Sequence, residues 1–305
     1  MKNTTLYLLG IIITIIVGTY FYFSCCSYCG TAVTQKEDPK EQVAPAPVAP
    51  KITSYPFALG DGDFAYSTED NFNFNTSSSN YLEPVSENVR KGILPGLKNH
   101  LTNNENKVFN ITGYYTSDEE NNSAFPNLGL ARANSVKNYF VSQEIPSSQI
   151  NTSGKLVDDM VPDKNIYRGP VGYAIEEASA DAEDQLKALY DKITGDPLIL
   201  YFDTAEASIN PSAAQRQKIA DITHYLDKLE NAKCQVVGYT DSQGSRKTNM
   251  RLGQERADFA KAYLMQNGIA DKKIKTDSKG PKDPIASNAT DEGRAKNRRT
   301  VITIK

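Results

Sequence analysis

Apolar and polar residues recur with two periods along the C-terminal third of the chain, and these periods predict strands and helices in turn. Apolar side chains three and four residues apart follow Asn210-Pro211, a pair typical of a helix start, and recur after Asn249. Short runs of β-branched and aromatic residues flank both helices. This alternation predicts an α/β (α+β sandwich) fold, with helices packed on one face of a mixed sheet. The predicted order is strand 198–202, helix from 211, strand 234–239, helix 249–266, strand 274–277, helix 290–297 and strand 300–304.

The N-terminus carries a membrane signal. Leu6–Phe23 is a run of 18 residues without a charge, which is at the short end for a transmembrane helix. Lys2 precedes the run and acidic sequence follows it, which favours a cytoplasmic N-terminus and an external remainder. A cleaved signal peptide is the alternative, but the run is long for one and no small-residue cleavage site follows.

Three of the four cysteines cluster just after this run, at Cys25, Cys26 and Cys29. A lone C-x-x-C without a second pair or a neighbouring His is weak support for a metal or redox site, so we predict no metal and no cofactor. Lipid attachment at Cys25, which would give an outer-membrane lipoprotein, and interchain disulfides are left open. Cys234 begins a predicted strand and is expected to be a small buried hydrophobe.

Composition limits the function further. The net charge is −3 and the sequence pI is near 5.6, which argues against a nucleic-acid partner. Only two histidines occur, and no Ser-His-Asp or metal-ligand spacing is visible. We therefore predict that the protein is not an enzyme and has no catalytic residues.

The most specific motif lies between strand 234–239 and the next helix. It reads Gly238-Tyr-Thr-Asp-x-x-Gly-Ser, and then Asn249-x-x-Leu-x-x-x-Arg256-Ala. Gly293-Arg-Ala-Lys-Asn-Arg-Arg and a closing strand follow. In this order, the motifs resemble the OmpA-like peptidoglycan-binding domain over about residues 196–305. The resemblance implies a βαβαβ-αβ topology and peptidoglycan as the partner, bound through its diaminopimelate-containing stem peptide.

The same resemblance implies a site for an amino-acid end group. Asp241 would accept hydrogen bonds from the ammonium, and Arg256 would donate two parallel bonds to the carboxylate. Asn249 is either a helix cap or a ligand contact. Arg298 and Arg299 either hold the ligand or anchor the last strand, and strand alternation argues that they do not both face the site. The full candidate set is Phe202, Asp203, Thr240, Asp241, Gly244, Asn249, Leu252, Arg256, Arg298 and Arg299.

An internal repeat precedes this domain. At an offset of 124, residues 112–153 match residues 236–277 without a gap at 11 of 42 positions, including Leu128-Gly-x-x-Arg-Ala. Ser117 replaces Asp241 and Phe125 replaces Asn249, whereas Arg132 is retained. We therefore predict a duplicated fold whose first copy keeps a packing role and has lost the ligand.

These patterns divide the chain into five predicted segments. For the segment at 176–195 an amphipathic connector helix is predicted, and an ordinary first helix of the last domain is the alternative. The segments are a membrane anchor at 1–29, a proline-rich spacer at 30–56 with a reach of roughly 80 Å, a degenerate OmpA-like domain at 57–175, an amphipathic connector helix at 176–195, and an OmpA-like domain at 196–305.

Three functions fit these segments. The favoured one is a periplasmic anchor that ties a membrane, most simply the inner membrane through one span, to the cell wall. The second is the wall anchor of an ion-driven machine such as a flagellar stator, which requires a carboxylate that Leu6–Phe23 lacks. The third is an envelope scaffold for protein interactions. Homo-oligomerisation is left open.

Overall fold

The computed structural model describes residues 13–22, 51–202 and 211–305. Residues 13–22 are helical with exposed side chains, and no helix in the described ranges combines the length and apolar character that a membrane crossing requires. The predicted span Leu6–Phe23 lies only partly within the described range 13–22, and Cys25, Cys26 and Cys29 lie outside the described residues. Pro50–Lys305 forms one compact unit, described below.

The first half of this unit, which we call the first copy, is built on a three-stranded sheet. Its central strand β4 (Lys107–Tyr115) runs parallel to β5 (Ile150–Leu156) and antiparallel to β7 (Val171–Glu177). The short strands form two separate two-stranded sheets, one from residues 57–61 and 64–68 and one from residues 74–75 and 166–167, and a π-helix at Asn88–Ile93 continues into the first α-helix. The other elements are β1 (Phe57–Asp61), β2 (Phe64–Thr68), β3 (Phe74–Asn75), β6 (Ile166–Tyr167), α1 (Leu94–Asn103) and α2 (Leu128–Ser142).

The second half, which we call the second copy, contains a four-stranded sheet. Its strands lie in the order β10 (Ile274–Gly280), β9 (Cys234–Tyr239), β11 (Arg299–Ile304) and β8 (Leu198–Tyr201). The β9–β10 pair is parallel, so the helix between the two strands is a crossover, whereas β11 is antiparallel to both of its neighbours. The elements are α3 (Ala182–Gly195), β8 (Leu198–Tyr201), α4 (Ala213–Lys228), β9 (Cys234–Tyr239), α5 (Arg246–Gln266), β10 (Ile274–Gly280), α6 (Asp291–Asn297) and β11 (Arg299–Ile304).

Helix boundaries follow their caps. Ser212 and Gln215 form a reciprocal capping box at the start of α4. The hydroxyl of Ser245 accepts a hydrogen bond from the amide of Thr248, so α5 begins at Arg246, three residues before the predicted start at Asn249. In contrast, the predicted connector helix starts later than its predicted first residue, 176. It begins at Ala182, because residues 171–177 pair with β4 as a strand. Leu186 and Leu189 of this helix pack on the core of the second copy.

The two copies repeat one arrangement, but the ungapped offset of 124 is wrong by one residue in the strand. Phe109 pairs with Ile150 in the first copy, and Cys234 pairs with Ile274 in the second. The helices and following strands therefore keep the offset of 124, whereas β4 and β9 differ by 125 residues. The segment between equivalent positions of strand and helix is accordingly one residue longer in the first copy: Gly113 and Gly129 are 16 positions apart, and Gly238 and Gly253 are 15 apart.

A close backbone approach supports this corrected register. A side chain at Gly113 would collide with the carbonyl of Gly129, and one at Gly238 would collide with the carbonyl of Gly253. In each copy the central strand and its crossover helix can therefore touch only because both contact positions are glycine.

The copies are joined by a polar interface. The Lys137 side chain of α2, which is 1% exposed, forms an ion pair with Asp227 of α4. The backbone amide of Ala124 donates to the side chain of Asn267, and Ala124 itself lies in the core of the second copy. Arg216 of α4 donates to the carbonyl of Asn121. The loop that follows β4 is therefore fastened to the other copy.

Cys234 is fully buried at the start of β9, as predicted. Burial raises the pKa of its thiol to about 12, and the thiolate is the reactive form. We therefore expect Cys234 to resist maleimide at neutral pH in the native protein and to react after unfolding in guanidinium. Peptide mass spectrometry would distinguish it from the N-terminal cysteines. Equal rates in the native and unfolded protein would contradict the burial.

Candidate functional site

The loop between β9 and α5 is held in shape by its own side chains. Asp241 Oδ1 accepts from the backbone amide of Gln243 at 3.1 Å. Asn249, which is 2% exposed, donates from its side-chain amide to the carbonyl of Gln243 at 3.0 Å. Gly244 has a φ of +87°, a conformation that favours glycine. Asn249 and Gly244 thus support the loop, and Asn249 lies within α5 rather than at its cap.

Asp241 pairs with Arg298 at the far end of the motif string. The distance from Arg298 Nη1 to Asp241 Oδ2 is 3.0 Å, and the two side chains are 16% and 14% exposed. Arg298 follows α6 directly, so the last helix delivers a cation to the start of the loop. Arg298 Nε is buried and has no hydrogen-bond partner within the described residues.

Arg256 lies beside this pair. Its Nη1 donates to the carbonyl of Tyr239 at 3.2 Å, and its guanidinium carbon lies 5.7 Å from the centre of the Phe202 ring. Burial lowers the pKa of Arg256, the nearby charge of Arg298 lowers it further, and Asp241 acts in the opposite direction. Nε and Nη2 of Arg256 donate to no residue that the structure describes. Asp241 and Arg256, which the sequence predicts as two contacts for one ligand, therefore lie near each other, while Arg298 makes the direct ion pair with Asp241.

The remaining candidates take different places. The Thr240 hydroxyl donates to the carbonyl of Asp241 and is buried, so it braces the loop. Leu252 is half-buried one turn before Arg256 on α5. Arg299 is directed elsewhere: its guanidinium stacks 3.9 Å above the Tyr239 ring, and Nη2 donates to the carbonyl of Asp283. This separation of Arg298 and Arg299 is consistent with strand alternation. Asp203 lies outside the described residues.

Sequence reasoning did not assign a role to Asn297, within the last motif. This side chain is fully buried and accepts from the amides of Ile285 and Ala286, while its own amide donates to Asn288. Asn288 in turn accepts from the backbone of Ser242 in the β9–α5 loop. Asn297 therefore fastens the loop before α6 to the site. In the sequence, the sign of this role was an uncharged asparagine between Lys296 and Arg298.

Arg132 of the first copy occupies the place that Arg256 occupies in the second. Nη1 of Arg132 donates to the carbonyl of Tyr114 at 2.9 Å, and its guanidinium lies 5.3 Å from the Phe74 ring. Arg256 makes two equivalent contacts: it donates to the carbonyl of Tyr239 at the end of β9, and it lies over the ring of Phe202, the residue that follows β8. The two guanidinium groups are thus equivalent in the duplicated fold.

The difference between the copies is a carboxylate that the sequence comparison missed. Glu119 accepts from both terminal nitrogens of Arg132, and the two side chains are 1% and 0% exposed. Glu119 also accepts from the amides of Ser77 and Thr116. Nε and Nη2 of Arg132 donate further to the carbonyls of Ser78 and Asn75. All five N–H groups of this guanidinium are therefore used inside the protein.

No group of three or more His, Cys, Asp or Glu within the described ranges could hold a metal ion. The arrangement around Arg256 instead suits hydrogen bonding to charged end groups. It combines a fixed carboxylate with two guanidinium groups in a partly buried place, where such bonds are stronger than in water.

Comparison with known proteins matches both copies to one family. The model of the OmpA family matches residues 74–165 and 201–298, which is more than half of the chain. Probable lipoprotein YiaD of Escherichia coli is 36% identical over 144 residues, covering 45% of this chain and 65% of that protein. The peptidoglycan-associated lipoprotein of Buchnera aphidicola is 37% identical over 103 residues, covering 34% of this chain and 58% of that protein.

The chain thus spans less than two thirds of the length of these relatives. Among solved structures, the peptidoglycan-associated lipoprotein from Burkholderia pseudomallei is 25% identical, with a TM-score of 0.32. The match covers 35% of this chain and 89% of that one.

Proposed function

Because the chain belongs to the OmpA family, we propose that its second copy binds peptidoglycan at the site where Asp241, Arg256 and Arg298 lie together. The ligand group is the amino-acid end of the diaminopimelate-containing stem peptide, which carries an ammonium and a carboxylate. The names of relatives such as the peptidoglycan-associated lipoprotein support this partner. In this proposal the first copy has lost the ligand and serves as a packing partner.

The contrast between the two equivalent arginines carries the proposal. In the first copy the guanidinium of Arg132 is filled by the carboxylate of Glu119. In the second copy the guanidinium of Arg256 makes one hydrogen bond to the described residues, through Nη1, and in this proposal Nε and Nη2 donate to the ligand. Glu119 therefore marks the position that a ligand carboxylate would take beside Arg256, with the bidentate geometry that arginine favours.

Asp241 supports the other half of the ligand. An ionised carboxylate offers about four acceptor positions, and Asp241 uses one for the amide of Gln243 and one for Arg298. The remaining positions can accept from a ligand ammonium. Arg298 balances the charge of Asp241 and holds its carboxylate in place.

Chemical variation of the ligand tests this proposal. The full-length chain is titrated calorimetrically with a diaminopimelate stem peptide, with the same peptide acetylated on its free side-chain amine, and with the peptide amidated at the adjoining carboxylate. We expect both modifications to weaken binding by at least about tenfold, because each removes a charge-assisted hydrogen bond. Equal affinity for all three peptides would overturn the proposed recognition of a zwitterion.

We further propose that the N-terminal segment tethers this wall-binding unit to a membrane as an uncleaved anchor. The uncharged run of 18 residues at Leu6–Phe23 supports this. We expect the mature protein to keep residues 1–24 and to resist extraction from membranes by carbonate, as mass measurement of its N-terminal peptide would reveal. A mature N-terminus at Cys25 that carries acyl chains would instead identify a lipoprotein.

A further inference from the structure

A cleft of about 420 Å³ lies between the two copies, away from the proposed stem-peptide site. One wall is formed by residues 79–83 and by the face of α2 that carries Asn134 and Asn138. The other wall is the C-terminal end of α5 with Asn267 and Gly268. The volume lies within the range of sites for small ligands, about 300–1,000 Å³.

The lining of this cleft is polar and almost uncharged. Side-chain amides come from both copies, among them Asn80, Asn138 and Gln266, together with the hydroxyls of serines. Among the described residues that line it, Glu83 alone carries a charge. An amide both donates and accepts hydrogen bonds, so the cleft suits a neutral ligand that does the same. It offers no cation to a phosphate or a carboxylate.

A rigid frame holds these amides. Asn134 accepts from Lys137 at 2.7 Å and donates to the carbonyl of Asn267 at 3.1 Å. Asn267 accepts from the amide of Ala124 and donates to the carbonyl of Tyr263. In contrast, the side chains of Asn138 and Gln266 make no hydrogen bond to the described residues. The frame is therefore preorganised by contacts between the copies, whereas the outer amides remain available.

Aromatic side chains complete the lining. Tyr81 and Tyr139 are half-buried and lie edge to face, with ring centres 6.1 Å apart, and Phe125 is buried beside them. The Tyr139 hydroxyl is buried without a partner within the described residues. Aromatic rings next to amides provide an apolar surface for the C–H face of a pyranose, with donors and acceptors for its hydroxyl and acetamido groups.

We propose that this cleft binds a neutral saccharide with acetamido substituents, and that in the protein's own setting this is the glycan strand of the polymer whose stem peptide binds the second copy. The second half of this statement rests on the proposed function. Arg256 of the site lies ten residues before Gln266 of the cleft on α5, a separation of about 15 Å along this helix. One helix thus holds two contacts for one polymer, and two linked contacts raise its affinity without either being strong alone.

The test uses glycan strands from which an amidase has removed all stem peptides and whose lactyl carboxylates, freed by that cleavage, are then capped as methyl amides, so that the strands are neutral. Binding of fluorescent strands to the full-length chain is measured by anisotropy for the wild type, for Asn138→Ala/Gln266→Ala and for Asn99→Ala, an exposed amide on α1. We expect the double variant to bind about tenfold more weakly, since it loses two or more hydrogen bonds, and Asn99→Ala to bind like the wild type. Because neither cleft amide bonds to the described residues, the melting temperature should stay unchanged.

The same strands separate this proposal from the proposed function. Arg256→Ala should bind peptide-free glycan like the wild type while losing the free stem peptide. Wild-type protein that ignores peptide-free glycan, or a double variant that binds it equally well, would overturn the cleft proposal. Failure of the stem peptide to bind, with glycan binding retained, would overturn the proposed function and restrict the cleft to saccharide recognition alone.

Discussion

Replacing Arg256 with alanine is expected to weaken the binding of a diaminopimelate stem peptide by about 30-fold or more. Loss of one member of a hydrogen-bonded charge pair that is buried on binding typically costs about 2–5 kcal/mol, and about 1.4 kcal/mol corresponds to a tenfold change in affinity. Arg256→Lys should fail as well, because an ammonium cannot make the planar two-bond contact. Calorimetric titration, with a melting curve for each variant, provides the measurement.

Two further variants sharpen this test. Asp241→Asn keeps the shape of the side chain and removes its charge, so it isolates the electrostatic contribution to ammonium binding. Arg251→Ala is the matched control, since Arg251 lies on the same helix and, within the described residues, forms its ion pair with Glu255 at the exposed surface. A variant of Arg256 that melts lower but still binds the peptide like the wild type would make Arg256 a structural residue.

The corresponding substitution in the first copy, Arg132→Ala, is expected to lower the stability of the protein and to leave its affinity for the stem peptide unchanged. It leaves the carboxylate of Glu119 buried without its cation, and breaking a buried pair in this way typically costs about 3–5 kcal/mol of stability. Affinity for the stem peptide should remain within about twofold of wild type, because the ligand does not use this copy. Urea denaturation gives the loss of unfolding free energy, and titration of the folded fraction gives the affinity.

A double substitution distinguishes a lost ion pair from a general packing defect. Replacing both partners by apolar residues of similar volume, as in Arg132→Met with Glu119→Leu, removes both charges together. We expect this variant to recover only part of the stability lost in Arg132→Ala, because the backbone groups that Glu119 and Arg132 hold lose their partners as well. The prediction fails if Arg132→Ala is as stable as the wild type, or if it loses the stem peptide while remaining folded.

The periodic elements of the second copy could be predicted from the sequence because each is locally determined. Its strands and the apolar stripe of α4 depend on short-range pattern. Boundaries were less accurate where a cap decided them, as with Ser245 at the start of α5. The strands β1 and β2 were not predicted, since their pairing depends on contacts with each other and with the sheet rather than on a strong period.

The site was harder to predict because its pairing is decided by tertiary structure. The motif identified Asp241 and Arg298, but their 57-residue separation hid the ion pair between them. In the first copy, an alignment without gaps compared Asp241 with Ser117 and passed over Glu119. One extra residue between strand and helix brings Glu119 to Arg132, and a pattern of identities cannot reveal such a compensation.

The position of β11 has a consequence for the order in which the protein is made. Residues 299–304 pair with β9 on one side and β8 on the other, so the strand synthesised after its partners lies inside the sheet. Until it arrives, β8 and β9 have open edges that are prone to pairing with other chains. Arg298 reaches Asp241 only when β11 is in place. An emerging chain therefore carries exposed strand edges before it carries the Asp241–Arg298 pair, and this topology favours protection of those edges until residues 299–304 have been made.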